Sequence, residues 1–260
     1  MARQIVDELL KKSGRESHFY DLCCGSGAIS IELISRGISS DKVVMLDCSS
    51  WGEFWRKISI GLFDFDFFET LLREIPKEKK KIKKFITELS KSPIGEHEAE
   101  IFLVLQANSF GGKQIWLEDK NWRNPSFRDY WEPTSTSIRR SPANPMQPSP
   151  TELFDRVLLL SQKMKGVKVI REDISVVLSH EFSKSSIAYV DPPYQGTTSY
   201  GFDFDLQEFV KAFKAVNDCP LVVSEGKQIS SCAMKLEFGG AKGGISGNKP
   251  RKHEEWLNFF

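Results

Sequence analysis

Phe19-Tyr20-Asp21-Leu22-Cys23-Cys24-Gly25-Ser26-Gly27-Ala28 compresses a strand, a tight turn and a helix start into one short run. Phe19 to Cys23 reads as a short strand. Gly25-Ser26-Gly27 reads as a turn, because glycine alone adopts the required backbone shapes without steric cost. Ala28 to Ser35 has helical apolar spacing, and Gly37 supplies a helix stop. Lys42-Val43-Val44-Met45-Leu46-Asp47 then forms a second apolar strand that finishes in an acid. Residues 17–50 are thus a βαβ unit, and that alternation argues for a parallel sheet with crossover helices.

The composition changes after Trp51. Residues 51–74 are dense in aromatics and fit short helices, and for the aromatic-rich stretch 54–68 a helical subdomain core is favoured over a base-stacking platform. Residues 76–90 carry a lysine run on a helix, and 97–107 form another helix. From Asn108 to Pro150 the chain reads as loop, with six prolines between Pro125 and Pro150. Regular structure resumes with a helix over Thr151 to Met164, a strand at Val167 to Ile170 leading to Glu172-Asp173, and a strand at Ser186 to Val190. A helix over Leu206 to Val216 and a strand at Leu221 to Ser224 follow. Leu236 to Phe238 and Glu255 to Phe259 are expected to close the sheet as an antiparallel pair. The expected architecture is α/β: a mostly parallel, Rossmann-like sheet flanked by helices, built discontinuously from 1–50 and 151–260. Residues 51–150 form a mainly helical and loop insertion.

The chain has 260 residues, 40% hydrophobic and 27% charged, which are ordinary globular proportions. A net charge of +1 means that any nucleic-acid site must be a local basic patch. Cys23, Cys24, Cys48, Cys219 and Cys232 are odd in number and lack paired CxxC units. A disulfide framework and a zinc site are therefore not expected, and no metal is expected at all. Met1 to Arg15 is charged and helix-like rather than a signal peptide, and no run is long enough to span a bilayer. The expected location is the cytoplasm, with no membrane partner.

Chemistry concentrates at the strand ends. The strand–glycine turn–helix arrangement of Asp21, Cys23, Gly25, Ser26 and Gly27 brings backbone close to a nucleotide-type cofactor. The helix N-terminus favours an anionic group. Asp47, at the end of the next strand, is placed to hydrogen-bond ribose hydroxyls, with a solvated strand-end acid as the plainer alternative. Two cofactors compete. A dinucleotide site normally shows GxGxxG, but here the third position is Ser30, which disfavours a pyrophosphate. S-adenosylmethionine has no phosphates and needs only the close turn plus ribose and adenine contacts. Further along, Asp191-Pro192-Pro193-Tyr194 follows an apolar strand. Prolines cannot continue the ladder, so an acid, a carbonyl and a flat ring project from the strand end. That group suits a planar substrate with an exocyclic amine, against the plainer reading of a proline-terminated buried strand.

Taken together, Asp21-Leu22-Cys23-Cys24-Gly25-Ser26-Gly27-Ala28 and Asp191-Pro192-Pro193-Tyr194 resemble the motif pair of S-adenosylmethionine-dependent DNA adenine-N6 methyltransferases. The order resembles the alpha, Dam-type group: cofactor motif, target-recognition insertion, then DPPY. Glu172-Asp173-Ile174 resembles the family's acid near the cofactor adenine, which assigns Asp173 a cofactor role. Glu254-Glu255-Trp256-Leu257-Asn258 is similar to a closing-strand pattern there. The family's Lys-Trp-x-Gly-Gly-Lys-like element before the glycine motif is missing from Met1 to Phe19. Phe110-Gly111-Gly112-Lys113 is faintly similar but lies in the insertion.

The resemblance implies direct methyl transfer from S-adenosylmethionine to adenine N6 in double-stranded DNA. Asp191 and the Pro192 carbonyl would hold the amine, and Tyr194 would stack on a base extruded from the duplex. Cytosine C5 methylation would need a Pro-Cys dipeptide, which this chain lacks. Lys80 and Lys84 in the lysine run, with Arg123, Arg128, Arg139 and Arg140 among the tryptophans of the insertion, are candidate phosphate contacts; a solvated helix face is the equal alternative for the lysines. A monomer suffices for this chemistry. The alternatives are an RNA base-amine methyltransferase and a catalytically silent relative that binds nucleic acid.

Overall fold

The computed structural model describes residues 1–131, 148–192, 204–237 and 254–260. In chain order these hold α1 (Ala2–Ser13), β1 (His18–Leu22), α2 (Ala28–Ser35), β2 (Val43–Leu46), α3 (Ser50–Ile60), α4 (Phe65–Arg73), α5 (Lys79–Leu89) and α6 (Glu98–Ala107). A short hairpin follows, β3 (Trp116–Glu118) and β4 (Asn121–Arg123), then α7 (Pro150–Lys163) and β5 (Lys168–Ile170). The chain ends with β6 (Ser186–Val190), α8 (Leu206–Val216), β7 (Leu221–Glu225), β8 (Cys232–Lys235) and β9 (Trp256–Phe259). It divides into two compact units. One takes Met1–Ile60, Lys163–Gly240 and Lys252–Phe260, and the other is built from Gly61–Gln162.

The first unit is the expected α/β layer structure. Its seven strands run in the order β5-β2-β1-β6-β7-β9-β8. All pairs from β5 to β7 are parallel, while β9 lies antiparallel to both β7 and β8. Strands β2, β6 and β7 are buried along their whole length, which suits their near-continuous Val/Ile/Leu/Ala sequences and marks a sheet covered on both faces. On one face Leu9 of α1 and Ile29 and Leu33 of α2 converge with Phe19, Ile187 and Tyr189. The other face packs Leu206, Phe209 and Phe213 of α8 against Leu22, Val190, Leu221 and Val223. Those three α8 residues recur at helical spacing, and Asp205 caps the helix by accepting from the Gln207 and Glu208 amides, both at 3.0 Å.

The second unit is helical with one hairpin. Its core gathers Phe63, Phe68 and Phe154, and Phe102 stacks on Trp122. Asp64 caps α4 through the Phe67 amide at 2.9 Å. Two local differences from the sequence reading have physical causes. The hairpin lies where loop was expected: Asp119 and Lys120 both take positive φ, at 49° and 61°, forming a two-residue turn without the Asn-Gly pair that usually signals one. The edge strand β8 starts at Cys232, ahead of the expected Leu236, because an edge strand with partly exposed side chains needs no apolar run. Among the described residues, no helix is long and apolar enough to cross a membrane.

One backbone approach in the first unit tolerates no side chain. A Cβ on Gly52, in the first turn of α3, would overlap the Asp47 carbonyl oxygen at the end of β2. Gly61, by contrast, has φ 74° and open space around it. Gly52→Ala should therefore cost about 2–3 kcal/mol by overpacking. Gly61→Ala should cost only about 1 kcal/mol of backbone strain. Thermal melting of the two variants checks the order, and equal losses would contradict this account of α3 seating.

Candidate active site

Strand order creates the site. From β1 the chain moves outward to β2 and β5 on one side, and β6 continues to β7 on the other. Ligands in such sheets bind outside the carboxyl ends of the strands where this reversal occurs. The register fixes what meets there: Asp21 pairs with Tyr189 and Leu22 with Val190, and the Asp191 amide donates to the Leu22 carbonyl at 3.4 Å. The glycine turn after β1 and the acid after β6 are therefore neighbours. Asp47 follows β2, and Glu225 ends β7. Glu255 precedes β9, whose antiparallel direction brings its start to this end of the sheet.

The glycine turn is held from below by carboxylates. Cys23, Gly25 and Gly27 take positive φ of 59°, 47° and 70°. The Cys24 amide bonds the Leu46 carbonyl at 3.0 Å, and the Gly27 amide closes the turn on the Cys24 carbonyl at 2.8 Å. Asp47 accepts the Gly25 amide on Oδ2 at 2.8 Å, and the Ser49 amide and hydroxyl on Oδ1 at 2.9 and 2.5 Å. Asp21 is buried and accepts the Ser30 amide and hydroxyl on Oδ2, at 3.2 and 2.6 Å. Ser30 lies in the first turn of α2, so Asp21 satisfies one of the amides a helix start leaves unpaired. A Cβ on Gly25 would meet nothing within 4 Å among the described residues.

This end of the sheet is strongly acidic. Burial pushes the Asp21 carboxyl up to about 7; the Ser30 bonds oppose the rise and the Asp47 charge adds to it. Asp191 reaches solvent but stands amid protein. Desolvation, then the carboxylates of Glu255, Asp21 and Glu225, push it up to about 7. Glu255 is itself fixed by the Ser224 hydroxyl at 2.7 Å. Burial raises the Cys23 thiol well above its ordinary value, reinforced by Asp47, Cys48, Asp191 and Asp21, so it is protonated at neutral pH and is no nucleophile. Cys48 is pushed up to about 11 by burial, Asp47 and Asp173. All five cysteines are free.

The first unit thus brings together Asp21, Cys23, Gly25, Ser26, Gly27, Asp47, Asp173 and Asp191. Asp173 is exposed after β5, where its Oδ1 accepts the Ser175 amide at 2.9 Å and starts a short helical turn. Pro192 is buried beside Asp191, while Pro193 and Tyr194 lie outside the described residues. In the second unit, Lys80 and Lys84 are exposed one helical turn apart on α5. Arg123, on β4, is exposed and pairs with Glu118 at 2.7 Å. Arg128 is buried, with its guanidinium on the Ala107 and Asn108 carbonyls, and Trp122 and Trp131 are core residues. Arg139 and Arg140 lie outside the described residues. Sequence reasoning missed Ser30, Glu255 as a neighbour of Asp191, and Trp55, whose indole N–H donates to the Gly25 carbonyl at 2.9 Å. Ser30 and Trp55 are identified by their bonds to Asp21 and Gly25, and Glu255 by its charge beside Asp191.

The raised Asp21 carboxyl has a consequence for stability. Its folded value of about 7 lies above the ordinary 3.8, so the folded state binds its proton more tightly than the unfolded chain. The stabilisation this proton gives is complete below about pH 4 and is lost as pH rises to about 7. Asp21→Asn keeps an acceptor for Ser30 but cannot ionise. The difference in melting temperature, variant minus native, should become more favourable to the variant from pH 5 to pH 8. A difference that stays constant or moves the other way would count against a buried, ionising Asp21.

A family model described as Conserved hypothetical protein 95 matches residues 1–53, the span from α1 through the glycine turn and β2 into α3. That family is methyltransferase-like. No curated protein matches the chain. The matched span and the Rossmann-like sheet together support a methyltransferase, and proteins of this family and fold generally use S-adenosylmethionine.

Proposed function

We propose that this protein transfers a methyl group from S-adenosylmethionine to the exocyclic N6 of adenine in double-stranded DNA, with the base flipped from the helix. The observation that carries the reading is the juxtaposition of Asp191 with the glycine turn, set by parallel pairing of β1 with β6. The donor set fits the cofactor. A Cβ on Gly25 would meet no described atom within 4 Å, Asp47 accepts the Gly25 amide, and the charges of Asp47 and Asp173 both act on Cys48. Cys23 to Gly27, Asp47 and Asp173 would hold the cofactor, which when bound supplies an electrophilic methyl group on sulfur.

The remaining work belongs to the chain. An adenine amine is a poor nucleophile because its lone pair is delocalised into the ring. Hydrogen bonds accepted by the Asp191 carboxylate and the Pro192 carbonyl favour a pyramidal nitrogen with its lone pair free for attack. A carboxylate whose proton affinity is raised by desolvation, and then by Glu255, Asp21 and Glu225, is also well suited to take the proton the nitrogen sheds. Tyr194 would stack on the flipped base. The first unit would form the catalytic domain and the second the target-recognition part, where Lys80, Lys84, Arg123, Arg139 and Arg140 would contact phosphates. The matched family, often RNA methyltransferases, favours a second reading: a base amine in RNA.

Labelled methyl donor incubated with unmethylated duplex DNA and with RNA should place N6-methyladenine in the DNA. Label confined to RNA would replace the first reading with the second, and absence of any cofactor binding would favour a silent nucleic-acid binder. Asp191→Ala should lower turnover by a factor of about 10² or more. Native turnover should rise with pH through about 7, as the Asp191 carboxylate forms; a profile flat from pH 6 to 8 would speak against that role.

Binding carries its own test. If Lys80 and Lys84 neutralise phosphates, changing both to Ala should reduce the slope of log affinity against log salt by about 2. An unchanged slope would make them a solvated helix face.

A further inference from the structure

We propose that Trp55 is the positioning residue of the cofactor turn, an inference that rests on the reading of Cys23–Gly27 as the cofactor site. Trp55 belongs to α3, beyond the turn and β2 in the chain, and it is among the largest fully buried side chains of the protein. Two separate observations tie it to the turn. Its indole N–H donates to the Gly25 carbonyl at 2.9 Å. Its six-membered ring edge lies so close under Gly27 that a Cβ there would stand 2.5 and 2.8 Å from Trp55 ring atoms and 2.9 Å from the Met45 methyl.

The peptide geometry explains the effect. Gly25 is held on both of its backbone polar groups: its amide by Asp47 and its carbonyl by Trp55. Fixing both ends of one residue at φ 47° selects one orientation for the peptide planes on either side. Those planes carry the amides of Gly25 and Ser26, and the Gly27 amide, which closes on the Cys24 carbonyl, follows into α2. The flat ring beneath Gly27 sets how far the turn can sink toward the sheet, and φ 70° with no Cβ lets it rest on that ring. Trp55 touches no reacting atom; it acts through the turn. Turn shape governs how cofactor is bound, so losing the brace should weaken cofactor affinity and leave the amine-holding group at Asp191 intact.

Trp55→Phe removes the donor and keeps an aromatic ring; Ile58→Ala, at another fully buried position of α3, is the control for general loosening of the helix. In cofactor-free protein, amide hydrogen exchange at Gly25 and Gly27 should accelerate in Trp55→Phe more than in Ile58→Ala. Titration calorimetry with S-adenosylmethionine should then give about tenfold weaker binding for Trp55→Phe than for the control, the loss of one buried hydrogen bond. In methyl-transfer assays KM for the cofactor should rise while kcat holds. Equal exchange in the two variants, or equal affinity, overturns the positioning role. No binding by the native chain overturns the cofactor reading and this inference with it, whereas normal native binding with an unchanged Trp55→Phe overturns this inference alone.

Discussion

Parallel pairing of β1 on both its edges is the constraint on which the first unit depends. With β2 on one side and β6 on the other, β1 has no free ladder, and the glycine turn, Asp47 and Asp191 follow the carboxyl ends of β1, β2 and β6. Parallel strands also force crossovers, and the crossovers supply α2, α3 and α8, whose apolar faces bury the sheet. A one-residue slip of β6 would turn Asp191 away and move Tyr189 to the opposite face, so the buried pattern of Ile187, Ala188, Tyr189 and Val190 protects the chemistry as well as the core.

The same arrangement concentrates negative charge. Asp21, Asp47, Asp191, Glu225 and Glu255 sit at one end of one sheet, and the response is divided. Asp47 is offset by three donors, and Glu255 is held by Ser224. Asp21 and Asp191 respond by binding protons more tightly. Glu53, one turn into α3, shows the opposite outcome: burial alone would raise its carboxyl, but Arg56 and Arg171 outweigh that and lower it. No cation of this kind is paired with Asp191 among the described residues. A carboxylate raised in this way, unlike one neutralised by arginine, marks a candidate functional site.

Much of the fold was legible because it is written locally. The strand before Gly25, the helix after Gly27 and the helix at Leu206 each carry their own periodicity and stop signals, and the structure places them within a residue of the reading. The hairpin at Trp116–Arg123 was missed because its turn, Asp119-Lys120, uses residues with little preference for positive φ. The aromatic-rich stretch that contains Trp55 reads as a helical subdomain core, whereas Trp55 lies in the α/β unit and its bond to Gly25 joins residues separated by a whole strand. Asp21 was legible as a strand-end acid and was assigned to the cofactor. Its bonds to Ser30 give it the prior task of holding the start of α2, since one oxygen is spent below the turn.

Asp47 shows how much further lone-pair counting goes than motif reading. A carboxylate offers about four acceptor positions. Oδ1 takes two donors from Ser49 and Oδ2 takes one from Gly25, which among the described residues leaves one position on Oδ2. A ribose offers two adjacent hydroxyls, so Asp47 can accept from one of them while its present bonds persist. The remaining position lies on the oxygen that already holds the glycine turn. Any ligand hydroxyl bound there shares an acceptor with the Gly25 amide, and the strength of one bond is felt by the other. Binding of any such hydroxyl and the shape of the turn would therefore be one electrostatic problem, set by a single oxygen atom.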